Sequence, residues 1–156
     1  MKKLLLILIC LFVSFEVKSE SDDLSGKQIL CERETSMGTW LDGFEFFSDV
    51  QLTRYRYLRS GGSEIKKDSD NWLYATNLEK IKLIDLRPPQ KFIEESPEYI
   101  DRQTLELVLI IMSNVNNDRR VYKYLSICKI FDDDLYNHLR KIKQNFDNNL
   151  KSKQKI

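Results

Sequence analysis

From Gly26 to Phe131 apolar residues recur at every second position in short runs broken by turn residues, and at Asp132 the spacing changes to three and four. A period of two belongs to a strand, whose side chains alternate between the faces of a sheet; a period near 3.6 belongs to a helix. The chain therefore reads as mainly β: an antiparallel meander of about eight strands, barrel-like, followed by one C-terminal amphipathic helix. Strands are expected at Gly26–Arg33, Gly43–Phe47, Val50–Arg59, Trp72–Thr76, Lys80–Leu86, Glu98–Ile100, Leu105–Met112 and Arg120–Phe131. A polar loop, Ser60–Asp70, divides the third from the fourth. Arg87-Pro88-Pro89 ends the fifth, because proline has no N–H for a ladder. Lys91–Glu95 reads equally as strand or loop. Asp101–Thr104 reads as a tight hairpin connection, and Ser113–Asp118 as a turn.

The Leu105–Met112 and Arg120–Phe131 runs are apolar on both faces, so both faces need cover. Leu135, Leu139, Ile142 and Phe146 follow at helical steps, with Asp132-Asp133-Asp134 at the start and lysines at the end. That order suits N-capping and the helix dipole. The helix is expected to cover the outer face of the Leu105–Met112 strand, with its lysines in water and the residues from Lys151 frayed.

The N-terminus carries a second pattern. Met1, Lys2 and Lys3 precede an apolar run, Leu4 to Phe15, that Glu16 breaks. The run is too short for a hydrocarbon core, which takes about 20 residues. A basic start, a short apolar centre and small residues beyond it are the parts of a secretory signal peptide. Val17-Lys18-Ser19 places cleavage after Ser19, with Ser21 the next choice; the bulky Ile7, Leu8 and Ile9 before Cys10 do not suit a lipoprotein signal. The expected organisation is a signal peptide at 1–19, a single β-rich domain at 20–150 with its helix from about 133, and a basic tail at 151–156. No later stretch reads as a membrane span, and the destination is the periplasm or the medium.

Loss of residues 1–19 removes Lys2, Lys3, Lys18 and Glu16 and leaves 137 residues with net charge −1. A chain so near neutrality is a poor nucleic-acid binder, and its length fills one core. Its charge is uneven: residues from Leu139 onward carry +5 and residues 20–138 carry −6. Two cysteines remain, Cys31 and Cys128, and an even pair in an oxidising compartment reads as a disulfide. It would join the first and last strands and close a loop worth roughly 4–5 kcal/mol on the chain-entropy account.

No catalytic, metal or nucleotide motif stands out, and no cofactor is expected. His138 is the one histidine, which leaves no multi-histidine site. Asp132–Asp134 lacks the alternating ligands of a calcium loop and reads as a cap; Asp68-Ser69-Asp70-Asn71 lacks the glycine and distal glutamate. The residues with most to offer a ligand or partner are Arg54, Arg56, Tyr55, Tyr57 and Trp72. Facing inward, the two arginines could hold a carboxylate or phosphate. The expected arrangement is the reverse, with Tyr55 and Tyr57 packed inside and the arginines on the surface.

Eight strands in a meander followed by one helix resembles the order of lipocalins and other calycin barrels, although Lys27 and Gln28 follow Gly26 where a lipocalin has Gly-x-Trp. Asp23–Cys31, Gly43–Phe46 and Tyr99–Leu107 also resemble segments of small exported marine-bacterial proteins of uncharacterised function. The resemblance implies export and a β-rich fold, and no activity.

The functional expectation is a non-enzymatic exported binding domain for a protein partner or a small apolar ligand. The alternatives are a small inhibitor of a wall-degrading enzyme, with Ser60–Asp70 as its protruding loop, and a hydrolase with a carboxylate pair in an open cleft. The basic C-terminal helix offers a weaker route to an anionic membrane surface. Four aromatic pairs, Phe44/Phe46, Tyr55/Tyr57, Trp72/Tyr74 and Tyr122/Tyr124, would nearly fill a small barrel if all pointed inward; the expectation is a filled core. Mass spectrometry of the exported protein should find Glu20 at its N-terminus, and an intact 1–19 segment would refute the signal peptide.

Overall fold

A computed structural model describes residues 24–60, 64–88, 93–95, 97–115 and 118–153; the expected signal peptide and its cleavage sites lie outside them. Within the described residues run β1 (Gln28–Thr35), β2 (Gly38–Phe46), β3 (Leu52–Leu58), β4 (Lys66–Asp68), β5 (Trp72–Thr76), β6 (Lys80–Asp85), β7 (Ile93–Glu95), β8 (Glu98–Asp101), β9 (Glu106–Val115), β10 (Asp118–Phe131) and the helix α1 (Leu135–Lys153). All pairings are antiparallel, in the order β4-β3-β2-β1-β10-β9-β8-β6-β5, with β7 against β9. The first strand thus pairs with the last. The two ends of the order meet through an isolated bridge between Gln51 and Leu73, beside which the Tyr74 N–H donates to the Val50 carbonyl at 2.8 Å. The result is a nearly closed, barrel-shaped sheet.

Two strands exceed the expected eight. The 60–70 segment is not wholly a loop, because Lys66–Asp68 pairs with Arg54–Arg56, and Ile93–Glu95 pairs with β9. The second strand also begins earlier than expected. Thr35 pairs with Gly38, so only Ser36 and Met37 form the turn. Gly38 has φ 118°, a conformation that side chains disfavour. In the β8–β9 hairpin, Asp101 Oδ1 accepts the N–H groups of Gln103 and Thr104 at 2.9 and 3.0 Å, which fixes the expected turn.

The barrel interior buries Ile29, Phe44, Phe46, Leu52, Trp72, Tyr74, Ile81, Leu83, Ile100 and Leu107. Cys31 and Cys128 lie directly opposite each other in β1 and β10 and are disulfide-bonded, joining the first and last strands as expected.

Asp134 caps α1: its Oδ1 accepts the Asn137 N–H at 2.9 Å, and Gln28 Oε1 accepts the Leu135 N–H at 2.9 Å. Leu135 and Leu139 are buried against Leu30, Leu41, Tyr55 and Tyr57, with Phe131 and Ile142 at the margin; Phe146 is half-buried. Gly43 makes this seat possible, since a Cβ there would stand 2.8 Å from Leu135 Cδ2. The helix remains regular through Lys153 rather than fraying at Lys151. It covers the outer face of β1–β3 and not that of β9. Three residues separate Phe131 from Leu135, and β10 borders β1, so the helix folds back over the β1 side. Leu139→Ala should cost about 2–5 kcal/mol in chemical denaturation, and unchanged stability would show the helix undocked.

Candidate functional site

Alternation along β3 puts Leu52, Arg54 and Arg56 on one face and Thr53, Tyr55 and Tyr57 on the other. The expectation of inward tyrosines and outward arginines is overturned. Arg54 lies inside the barrel, 6% exposed. Tyr55 and Tyr57 are buried too, but on the outside of the sheet beneath α1. Both faces of β3 are covered, so burial of the tyrosines did not require the arginines to face water.

A buried guanidinium is tolerated when it is paired and hydrogen-bonded. Arg54 Nε and Nη2 donate to Asp42 Oδ1 at 3.1 and 2.7 Å. Its Nη1 and Nη2 donate to Glu98 Oε2 and Oε1 at 2.7 and 2.9 Å. Its guanidinium stands 4.6 Å from the Trp72 ring centre and 5.3 Å from that of Phe44. Burial opposes the charge on Arg54, but Asp42 and Glu98 outweigh it and raise the pKa. Burial also pushes Glu98 above its ordinary value, and Arg54 offsets only part of that push.

Arg56 follows on the same face, half-buried and opposite Asp42 in the ladder. Burial and the neighbouring Arg54 lower its pKa. Trp72 Nε1 and Tyr57 Oη are buried with no hydrogen-bond partner among the described residues, whereas the Tyr55 hydroxyl donates to Glu45 Oε2 at 2.7 Å. The five candidate residues therefore divide: Arg54, Arg56 and Trp72 share the barrel's inner side, while Tyr55 and Tyr57 lie outside it.

The aromatic pairs divide likewise. Phe44/Phe46 and Trp72/Tyr74 are interior, Tyr55/Tyr57 sit under α1, and Tyr122/Tyr124 are exposed on β10. The interior position a third pair would take holds Arg54 and its carboxylates. Asp42 and Glu98 are shut from solvent and tied to Arg54, unlike a hydrolase pair facing an open cleft. Among the described residues no group of three or more His, Cys, Asp or Glu is placed to hold a metal ion. Asp68 is instead engaged with Asn71 and Arg87.

A second feature lies on the outer surface. β1 and β10 pair from Gln28↔Phe131 to Glu32↔Ile127, beyond which β1 continues with β2 and β10 with β9. An open groove of about 660 Å³ occupies this fork, lined by Leu30, Glu32, Glu34, Glu106, Leu125 and Ile127 among others. Ile127 is 76% exposed and is flanked in register by Glu32 on β1 and Glu106 on β9. Leu125 and Val121, further along the same face, are exposed as well. No motif in the sequence singles out these residues. The one signal for them is a strand apolar on both faces followed by a single helix able to cover one patch.

Arg54→Met removes the partner of two buried carboxylates, a change that costs roughly 3–5 kcal/mol at neutral pH. An acid whose folded-state pKa is raised loses stability as pH rises through that pKa and regains it on acidification. The deficit of the variant should therefore shrink from neutral to mildly acidic pH in denaturant titrations; an equal deficit at both would mean that Glu98 does not carry it.

No family model, curated protein or solved structure matches this chain.

Proposed function

We propose that this chain is an exported, non-enzymatic binding domain that takes a protein partner on the outer face of β9 and β10, beside the fork, and not a small apolar ligand inside the barrel. The observation that carries the reading is the pairing of an occupied interior with an uncovered exterior. Phe44, Phe46, Trp72, Tyr74 and the Arg54 ion group take up the inside, while Ile127, Leu125 and Val121 stand exposed outside. Contiguous exposed apolar patches on soluble domains mark interaction sites. Three glutamates together with Arg33 and Lys129 around Ile127 and Leu125 supply the polar margin typical of a protein interface.

Export rests on the N-terminal sequence pattern, and the Cys31–Cys128 disulfide is compatible with it. No helix among the described residues is long and apolar enough to cross a membrane. The lipocalin-like strand order supports a barrel but not a lipocalin-like cavity.

A photo-crosslinking residue at Ile127, in cells exporting the protein, should give a discrete protein adduct. The same group at Leu78, which is also exposed, should not. Native mass spectrometry that instead found a stoichiometric fatty acid on the purified protein would overturn the reading in favour of a carrier.

A further inference from the structure

Beyond the fork, β10 is an edge strand. Asp118 to Leu125 are all exposed, and this stretch pairs with β9 in an unbroken register. Among the described residues nothing pairs with its other side.

The direction of its backbone groups follows from two observations. The Cys128 N–H donates to the Leu105 carbonyl at 2.7 Å, on the β9 side. The Cα atoms of Cys31 and Cys128 are 3.9 Å apart, the close spacing of a non-hydrogen-bonded antiparallel pair. Even-numbered residues of β10 thus bond toward β9 and odd-numbered residues toward β1. Ile127 and Lys129 meet β1. Leu125, Lys123 and Val121 point their N–H and C=O groups outward from an edge with no proline and no bulge. Such an edge is a template for strand addition.

We propose that this edge pairs with the same edge of a second copy of this chain, antiparallel and about a two-fold axis, to make one continuous sheet. The charge pattern argues for a second copy. At the hairpin end Arg120 is paired with Asp118, which leaves Arg119 in excess; at the fork end Glu32, Glu34 and Glu106 exceed Arg33 and Lys129 by one charge, and Arg33 turns over the Tyr124 ring. Antiparallel pairing lays the basic end of each copy toward the acidic end of the other. The register follows from like-charge avoidance. Lys123 cannot face Lys123 of the second copy, nor can Arg119 face it. Ile127 is already bonded to β1. What remains sets Val121 opposite Lys123 of the second copy and Arg119 opposite Leu125 of the second copy, centred on Tyr122. The association uses backbone groups and leaves the Ile127 side chain on the outer face, so its failure and that of the partner-binding reading are separable.

Sedimentation equilibrium from micromolar to millimolar protein should show a monomer–dimer equilibrium. Lys123→Pro deletes an outward N–H while leaving the β9 ladder intact, and should weaken association about tenfold or more, given two lost donors per dimer. Glu34→Arg should weaken it without touching the strand, and the double variant Glu34→Arg/Arg119→Glu should restore it. A wild-type protein that stays monomeric at millimolar concentration overturns the proposal. So does a Glu34→Arg protein, or a folded Lys123→Pro protein, that associates like the wild type.

Discussion

Arg54 ties the two halves of the barrel across its interior. It belongs to β3, and Asp42 lies beside it on β2, but Glu98 reaches it from β8 in the opposite half. On one flank the halves share the β1–β10 ladder and its disulfide. On the other they meet through the Gln51–Leu73 bridge, the Tyr74 N–H donating to the Val50 carbonyl, the Tyr74 hydroxyl donating to the Ser48 carbonyl and the Arg87–Asp68 ion pair. The ion group supplies, through the middle, the connection that the second flank lacks. It also fixes what the interior can do: a space occupied by a guanidinium, two carboxylates and the rings of Trp72 and Phe44 is a poor host for an apolar guest.

Much of this was legible in the chain. Period-two runs located the longer strands, and the break in period at Asp132 located the helix within three residues. The even cysteine pair gave the bridge because it needs only a count and a compartment. The faces of β3 were not legible. In Leu52–Leu58, arginines alternate with tyrosines, and the local rule that charge faces water assigns them the wrong way round. That rule fails where a strand is covered twice and where counter-charges arrive from residues 12 and 44 positions away. No window around Arg54 contains Glu98.

The helix shows the same division between local and distant information. Its apolar stripe was plain, but the surface it would cover depended on which strand β10 would neighbour. Once β10 lies against β1, the short link from Phe131 and the bare backbone at Gly43 leave little choice. The exposed face of β10 follows directly. One helix cannot cover both flanks of β1, and the flank it leaves holds Ile127 between two glutamates. The candidate interface is thus a by-product of where the helix went, and could not be read before that was known.

The disulfide also determines how the domain responds to tension. β1 and β10 are antiparallel, so the ends of the barrel-forming chain leave side by side at the Gln28↔Phe131 pair. Pulling those ends apart loads the ladder one rung at a time, from Gln28↔Phe131 through Leu30↔Lys129, and stops at Cys31–Cys128. Everything between the two cysteines, including the ion group and the projecting hairpin, sits inside a covalent loop that carries no load. A domain held by its ends would yield a few residues of slack and then lock, with its exposed face undisturbed.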